Sequence, residues 1–351
     1  MLSVKFQEKF AHITIAHHLD KDGTLWGTSG RKIYRKARQG KWEMIAQFPF
    51  ATPRDYFGFP RLAARAARAD KCNIYVNQHG FILGIRASRV YQILPGEAPR
   101  YLFSIQGDSV LHGSICEDDE GNFLFGEYFM NPDRKPVHLW KVSSDLSKWE
   151  LAYTFPAGSI RHIHGIYRDP FNPGSYWAAS GDFERECYLY HFQGDFQSPQ
   201  RFGDGSQLWR AVRLFFAPDH ITWLTDSNLD QNYACRLERS SGKFETGQTI
   251  NASAWYGSVT KEGFMVGFTT VEPGPGILTN HSEILASRDG FHWESIKKFR
   301  KDRWRPMKLF KYGVISCPSG TMTQDEFYIS GEGLAGLDGI TRKISITEKT
   351  I

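Results

Sequence analysis

The sequence predicts an all-β protein, a seven-bladed β-propeller of four-stranded antiparallel blades, with six blades as the alternative. Two observations carry this prediction. Aromatic residues make up 15% of the 351 residues and 33 are glycine, a composition typical of many short strands separated by tight turns. Strand–turn–strand segments also recur about every 50 residues, and seven such units fill the chain. No polar or apolar block interrupts the sequence, so we expect residues 1–351 to form one domain.

The first repeat occurs twice in the amino-terminal third. GTLWGTSGRKIYR begins at Gly23, and GFILGIRASRVYQ begins at Gly80. In both copies two glycines flank an apolar pair, and a basic residue, an aliphatic residue and a tyrosine follow after the turn. Each copy therefore predicts two strands joined by a tight turn.

A second repeat marks outer hairpins. SSDLSKW at residues 143–149 matches SRDGFHW at residues 287–293, each with Ser, then Asp two residues later, then Trp four residues after that. Weaker copies end at Trp42 and Phe244. A period near 50 residues accounts for these spacings. It places the blades near residues 11–50, 71–106, 109–156, 160–203, 207–250, 253–300 and 304–348.

The two Ser-x-Asp segments resemble the Asp box of sialidase-like (BNR-repeat) β-propellers, and the chain resembles little-characterised bacterial BNR-repeat proteins. The resemblance implies that the Ser and Asp side chains bond the hairpin backbone while the Trp packs between blades. It also implies a link to surface or capsular polysaccharides. The early Arg-Ile-Pro signature of sialidases is absent, since residues 59–62 read FPRL.

Two further features concern the ends and the first insertion. Val4–Phe6 is expected to pair with the last blade and close the ring, leaving no open edge. Residues 61–70 are rich in Ala and Arg and predict a short helix with Arg61, Arg65 and Arg68 on one face. This face is either an exposed basic surface or a lid that offers arginines to an anionic ligand.

The candidate site follows from propeller geometry. The inner strand of each blade starts, and the second strand ends, at the same face of the disc, so residues about 50 apart in sequence converge. Convergent charges rimmed by aromatic rings are typical of sugar recognition. The predicted catalytic residues are Glu127, His162, His164, Asp182, Asp226 and Tyr256. The predicted substrate-binding residues are His112, Arg161, Trp209, Arg210, Trp255, Glu272 and Arg305.

Each candidate also has a structural alternative. His162 and His164 point the same way on a strand, so they are two metal ligands, a base with its partner, or filling of the central channel. The two aspartates, Asp182 and Asp226, alternatively cap loops. Arg210 and Arg305 alternatively stack on the preceding tryptophans, and Tyr256 is alternatively core.

Three functions stay open at this stage. The resemblance to sialidases implies a glycosidase for an acidic glycan, with Tyr256 as nucleophile beside Glu127, Asp182 as acid/base, and Arg161, Arg210 and Arg305 gripping a sugar carboxylate. A polysaccharide lyase would instead use His or Tyr to remove a proton beside a uronate carboxylate. The third function is a glycan- or protein-binding propeller without catalysis.

The remaining expectations concern partners, cofactors and location. The net charge of +5 permits an anionic carbohydrate and does not call for nucleic acid. Five scattered cysteines with no C-x-x-C exclude a disulfide framework, and no cofactor is expected apart from a possible divalent metal at His162 and His164. The amino terminus lacks the apolar region of a signal peptide, and no run approaches the roughly 20 apolar residues of a membrane helix. We therefore expect a cytoplasmic protein without a membrane span, of unassigned oligomeric state.

Overall fold

The computed structural model describes residues 2–58, 60–303 and 306–348. Their strands form seven four-stranded antiparallel sheets, each made of strands consecutive in sequence except the sheet that joins the two chain ends. The innermost strands of most neighbouring blades contact one another around a central channel. The predicted seven-bladed propeller is therefore confirmed.

The strands follow the predicted blade boundaries to within a few residues, except that blade 3 begins at Cys116 instead of near 109 and blade 7 at Val314 instead of near 304. In chain order they are β1 (Leu2–Phe10), β2 (Ile15–Leu19), β3 (Leu25–Ser29), β4 (Lys32–Lys36), β5 (Trp42–Gln47), β6 (Asn73–Val76), β7 (Ile82–Arg86), β8 (Arg89–Ile93), β9 (Arg100–Ser104), β10 (Cys116–Glu117), β11 (Phe123–Gly126), β12 (Val137–Val142), β13 (Trp149–Phe155), β14 (Ile163–Arg168), β15 (Ser175–Ser180), β16 (Cys187–Gln193), β17 (Gln200–Gly205), β18 (Ala211–Phe216), β19 (His220–Thr225), β20 (Asn232–Glu238), β21 (Phe244–Ile250), β22 (Ala254–Val259), β23 (Met265–Thr269), β24 (His281–Ser287), β25 (Glu294–Arg300), β26 (Val314–Ser316), β27 (Phe327–Glu332) and β28 (Ile340–Glu348). Blades 1 to 6 take β2 to β25 in groups of four, and blade 7 joins β26–β28 to β1.

The ring is closed by the amino-terminal strand. β1 pairs antiparallel with β28, with Val4 opposite Ile346 and Phe6 opposite Ile344. This confirms the predicted pairing of Val4–Phe6. Because blade 7 contains both ends of the chain, opening the ring requires breaking a complete strand pairing.

The apolar core lies between neighbouring blades. One cluster joins Leu83 of blade 2 to Phe123 and Phe125 of blade 3, all fully buried. Burying each such side chain contributes about 1.5–3 kcal/mol. Close approach of the next blade depends on Gly126, because a Cβ there would lie 2.4 Å from Cγ2 of Ile163. Since the core lies between the sheets, polar side chains are left to line the channel.

The hairpins that carry the Ser-x-Asp repeat have the bonding expected for them. The backbone N–H of Gly290 donates to Ser287 Oγ at 2.8 Å, and the N–H of His292 donates to Asp289 Oδ1 at 2.8 Å. Trp293 is buried, with its ring 5.3 Å from that of Phe215 in the preceding blade. Each such hairpin therefore fixes a turn and fastens one blade to the one before it.

The matching hairpin in blade 3 repeats this arrangement. Asp145 Oδ1 accepts from Ser143 Oγ at 2.7 Å and from the N–H of Ser147 at 3.0 Å. Trp149 stacks on Phe103 of blade 2 with ring centroids 5.2 Å apart. Here the tryptophan is 41% exposed, so this copy covers the rim of an inter-blade contact and is not buried within it.

Two insertions cover one face of the disc. The first follows blade 1 and contains a 3-10 helix (Pro53–Phe57) and helix α1 (Arg61–Ala67), and the second follows blade 6 and contains helix α2 (Met307–Phe310). The predicted helix near residues 61–70 is thus confirmed. No helix within the described ranges is long and apolar enough to span a membrane.

The three arginines of the first insertion do not form one exposed face. The Arg65 side chain is fully buried, with Nη1 2.5 Å from Asp302 Oδ2. Arg61 Nη1 lies 2.5 Å from Asp70 Oδ2, so it is also ion-paired. Arg68, the residue that ends α1 with a left-handed backbone, is exposed. The expected basic surface is therefore reduced to one exposed arginine, and Arg65 ties the two insertions together.

Candidate functional site

A cavity of about 470 Å³ opens beneath the insertions, within the size range of small-molecule sites. Its wall combines residues of blades 1, 3, 4, 6 and 7 with residues of both insertions. Six predicted site residues line it, namely His112, Arg161, His162, Asp182, Trp255 and Tyr256. The convergence expected from propeller symmetry therefore occurs for these six.

Asp182 is the most densely contacted carboxylate of this site. Its oxygens lie 2.6 Å from Arg161 Nη1, 3.1 Å from Arg210 Nη2, 3.3 Å from His162 Nε2 and 3.2 Å from His164 Nε2. Burial alone would raise the pKa of Asp182, but the histidines and Arg210 hold that pKa well below its ordinary value. Asp182 is therefore ionised and cannot serve as a proton donor.

The turn that presents Asp182 is strained. Gly181 and Asp182 have φ values of 152° and 144°. Glycine adopts such values readily, whereas a residue with a side chain does so at a cost of order 1–3 kcal/mol. Backbone strain of this kind is typical of functional sites, and here the surrounding ion pairs hold the residue in place.

The two histidines of β14 and its entry are oriented by backbone carbonyls. His162 Nδ1 lies 2.9 Å from the carbonyl oxygen of Phe129, and His164 Nδ1 lies 2.8 Å from that of Ala211. Each Nδ1 therefore carries the proton and donates, and each Nε2 faces Asp182. Both rings are almost completely buried. Burial lowers the pKa of His162, although Asp182 opposes this effect.

Further charged side chains lie behind Asp182 and the two histidines, on the side away from the cavity. Arg210 Nε is 3.2 Å from Asp226 Oδ2, and Ser253 Oγ donates to Glu272 Oε1 at 2.5 Å. Burial, reinforced by the neighbouring Asp226, raises the pKa of Glu272 to about 7, and burial also raises the pKa of Asp226. His164, Arg210, Asp226 and Glu272 do not line the cavity, so they support its wall from within.

His112 and Tyr256 form a second titratable pair on the cavity wall. Their rings lie 5.6 Å apart, and both residues also line a cavity of about 370 Å³ further along the channel. Burial, together with the charges of Lys311 and Lys71, lowers the pKa of His112 to about 4. Burial raises the pKa of Tyr256 well above its ordinary value. At neutral pH the pair is therefore a neutral imidazole beside a protonated phenol.

Cations from the insertions line another part of the cavity. Lys71 Nζ lies 3.8 Å from Asp108 Oδ2, and Lys311 Nζ lies 2.8 Å from Glu332 Oε1. Burial, together with the charges of Arg68, Lys311 and Arg54, lowers the pKa of Lys71 although Asp108 opposes the shift. Mutual repulsion among these cations favours an anionic ligand.

The sequence prediction did not include these lysines, nor Tyr128, whose ring lies 4.2 Å from that of His162 and which lines the cavity. In the sequence, Lys71 could have been recognised as a site residue from its position directly after the Arg-rich helix. Tyr128 adjoins Glu127 at the end of the second strand of blade 3, where the prediction favoured the carboxylate.

Two predicted residues lie elsewhere, and a third is not among the described residues. Glu127 is buried and accepts from the N–H of Gln106 at 2.9 Å and of His138 at 3.1 Å, away from the cavity lining. Trp209 stacks on Phe244 with ring centroids 4.6 Å apart in the core of blade 5. Arg305 lies outside the described residues.

Comparison with known proteins supports the fold alone. No protein-family model and no curated protein matches the sequence. The chain is similar to the structure of the RRP9 WD40 repeats, with a TM-score of 0.55 and 8% identity over 99% of this chain and 97% of that one. It is equally similar to U3-55K, with a TM-score of 0.55 and 8% identity over 98% of each chain.

A putative TolB from Agrobacterium tumefaciens has a TM-score of 0.46 and 10% identity, over 79% of this chain and 90% of that one. At 8% identity, the likeness to the RRP9 WD40 repeats and to U3-55K supports the propeller fold and does not identify an activity. These likenesses lend no support to membership of the sialidase-like family, and that resemblance stays a prediction.

Proposed function

We propose that this propeller binds an acidic saccharide in the cavity beneath its insertions and cleaves it by β-elimination. The observation that carries the proposal is the His112–Tyr256 pair, which shares one cavity with Lys71, Lys311 and Arg161. A neutral base, a protonated acid and cations for a carboxylate are the groups that this reaction needs.

The cavity wall suits a charged sugar. Tyr128, Trp255 and Tyr312 provide aromatic surface for the apolar faces of sugar rings. Lysine and arginine side chains are suited to carboxylate and hydroxyl oxygens. Five cationic side chains line the cavity against four carboxylates, and this excess of one favours a uronic acid over a neutral sugar.

The proposed reaction divides the proton transfers between two side chains. His112 removes the proton from the carbon beside the uronate carboxylate, while Lys71 and Lys311 stabilise the negative charge that develops there. Tyr256 donates its proton to the glycosidic oxygen as the C–O bond breaks and a C=C bond forms. A proton is gained by the imidazole and lost by the phenol, and exchange with solvent restores both groups.

The glycosidase expected from the sequence has less geometric support. Most glycosidases use two carboxyl groups that flank the scissile bond, whereas sialidases use a Tyr nucleophile with an acidic partner. In this cavity Asp182 is held ionised by two arginines, and Asp70, Asp108 and Glu332 are engaged in ion pairs. Asp226 and Glu272 lie behind the wall. Glu127, the expected partner of a Tyr256 nucleophile, bonds Gln106 and His138 instead.

The test is a screen of uronate-containing polysaccharides as substrates. Ultraviolet absorbance is the readout, because it detects the unsaturated sugar that β-elimination produces. We expect absorbance to rise with the wild-type chain and to be lost in Tyr256→Phe and His112→Ala. The matched control is Tyr101→Phe, since Tyr101 is exposed on the outer strand of blade 2. New reducing ends without absorbance would indicate the glycosidase, and binding without turnover would indicate a recognition propeller.

A further inference from the structure

We propose that His162, His164 and Asp182 bind one divalent transition-metal ion of the zinc type, with an open coordination position at the cavity wall. The proposal does not depend on the elimination reaction. It concerns three side chains of blade 4 that the propeller brings together from the entry of β14, from β14 itself and from the turn after β15.

The distances among the three side chains fit an ion between them. One ligand atom from each residue can be chosen so that all lie within 4.8 Å of one another. His162 Nε2 is 3.3 Å from Asp182 Oδ2 and His164 Nε2 is 3.2 Å from Oδ1, so each carboxylate oxygen faces one imidazole, at distances longer than the 2.7–2.9 Å usual for a charge-assisted hydrogen bond. Ligands bound at about 2.0–2.1 Å in a tetrahedron lie roughly 3.3–3.4 Å apart.

The orientation of the imidazoles supports the same conclusion. Because the carbonyls of Phe129 and Ala211 accept from both Nδ1 atoms, both Nε2 atoms are directed at Asp182. In a neutral imidazole oriented in this way, Nε2 is the nitrogen that can ligate a metal ion. His162 Nε2 is buried and has no hydrogen-bond partner. A metal-ligating histidine usually donates its other ring N–H to a carbonyl or carboxylate in this way.

The positive charge of neighbouring arginines lowers the expected affinity for a metal ion but leaves ligand positions for it. Arg161 and Arg210 contact Asp182, and their positive charge opposes a cation. A carboxylate has about four acceptor positions, so two guanidinium contacts leave positions for a metal. Asp226 offsets part of the charge of Arg210. Two imidazoles and one carboxylate favour zinc, cobalt or iron over magnesium or calcium.

The proposed site is open on one side. His162 and Asp182 line the cavity, whereas His164 lies one layer deeper. Three protein ligands with a free position toward a cavity are typical of catalytic and not of structural zinc sites. An ion here would therefore present its fourth position to whatever the cavity binds.

The test measures binding of the metal itself. The full chain, stripped with a chelator, would be titrated calorimetrically with Zn²⁺ and spectroscopically with Co²⁺, whose visible bands report tetrahedral N/O coordination. We expect one equivalent to bind. His162→Ala and His164→Ala should each weaken binding by more than roughly tenfold. Asp182→Asn keeps the side-chain volume and should also weaken it.

The matched control is His191→Ala, because His191 stacks on Trp177 and bonds Ser175 far from these ligands. Circular dichroism would verify that each variant is folded. Absence of stoichiometric binding by the wild-type chain would overturn the proposal. Equal affinity in the wild type and in folded His162→Ala and Asp182→Asn variants would also overturn it. Neither readout requires substrate, so failure here is distinct from failure of the elimination reaction.

Discussion

Arg210 connects two blades by contacting Asp182 of blade 4, with its Nη2 atom 3.1 Å from Oδ1 of that carboxylate. Its Nε atom meets Asp226 of its own blade at 3.2 Å. Only 8% of the Arg210 side chain is exposed to solvent. One arginine thus joins the buried carboxylate of Asp226 to the carboxylate of Asp182 on the cavity wall.

Replacing Arg210 with Met should lower the free energy of unfolding by about 3–5 kcal/mol, because it leaves the buried carboxylate of Asp226 without its ion-pair partner. Urea denaturation would measure the change. The matched control is Arg35→Met, which removes an exposed ion pair with Glu43 and should cost at most about 1 kcal/mol. Equal losses in the two variants would contradict a special role for the buried arginine.

Glu272 should make the protein less stable as the pH rises. Its folded pKa is raised to about 7, above the ordinary value of 4.5, so between these pH values the folded chain retains a proton that the unfolded chain has released. Stability therefore falls across this range, by up to about 3 kcal/mol.

Glu272→Gln keeps an oxygen for Ser253 and removes the titration. We expect urea midpoints measured at pH 5 and pH 8 to differ less in this variant than in the wild type. Glu150→Gln, on an exposed outer strand, is the control and should leave the difference unchanged. A pH profile of Glu272→Gln identical to that of the wild type would contradict the raised pKa.

The sequence was sufficient for the architecture and for part of the site. Trp149 of blade 3 and Trp293 of blade 6 each contact an aromatic ring of the preceding blade, so their spacing reports the blade period. The same symmetry brings Asp182 and Tyr256 to one cavity. Lys71 and Lys311 lie in insertions that do not follow the period, so the repeat contains no information about them.

Two local details limited the site prediction. Glu127 and Tyr128 directly follow the last residue of β11, Gly126, so the alternation of side chains along a strand does not decide which of the two lines the cavity. Trp209 belongs to a short 3-10 helix (Gln207–Trp209) before β18, and that turn directs its ring into the core of blade 5. The alternation of side chains between the two faces of a strand does not apply to such a turn.

If His112 is the base, removing a nearby positive charge should shift the acid limb of activity. A base must be neutral, so kcat/KM falls as the pH drops through its pKa. Lys311 contributes to the lowering of the His112 pKa to about 4. Lys311→Met should therefore raise that pKa and move the acid limb to higher pH. Lys148→Met, at an exposed hairpin, should not move it.

Glu127 and Tyr128 allow a direct comparison of a supporting residue with a cavity residue. Every contact of the Glu127 carboxylate is with a donor, including the N–H of Gln106 and of His138. Glu127→Gln places an amide N–H₂ against those donors and should destabilise the fold by about 1–3 kcal/mol. Below its unfolding temperature the variant should retain kcat/KM within a few-fold, because Glu127 does not line the cavity.

Tyr128→Phe should have the opposite effects. It should leave the unfolding free energy nearly unchanged and weaken saccharide binding, since it removes a hydroxyl from the cavity wall. Urea denaturation and binding calorimetry of both variants separate the two roles. A folded Glu127→Gln variant without activity would support the catalytic role that the sequence predicted for Glu127.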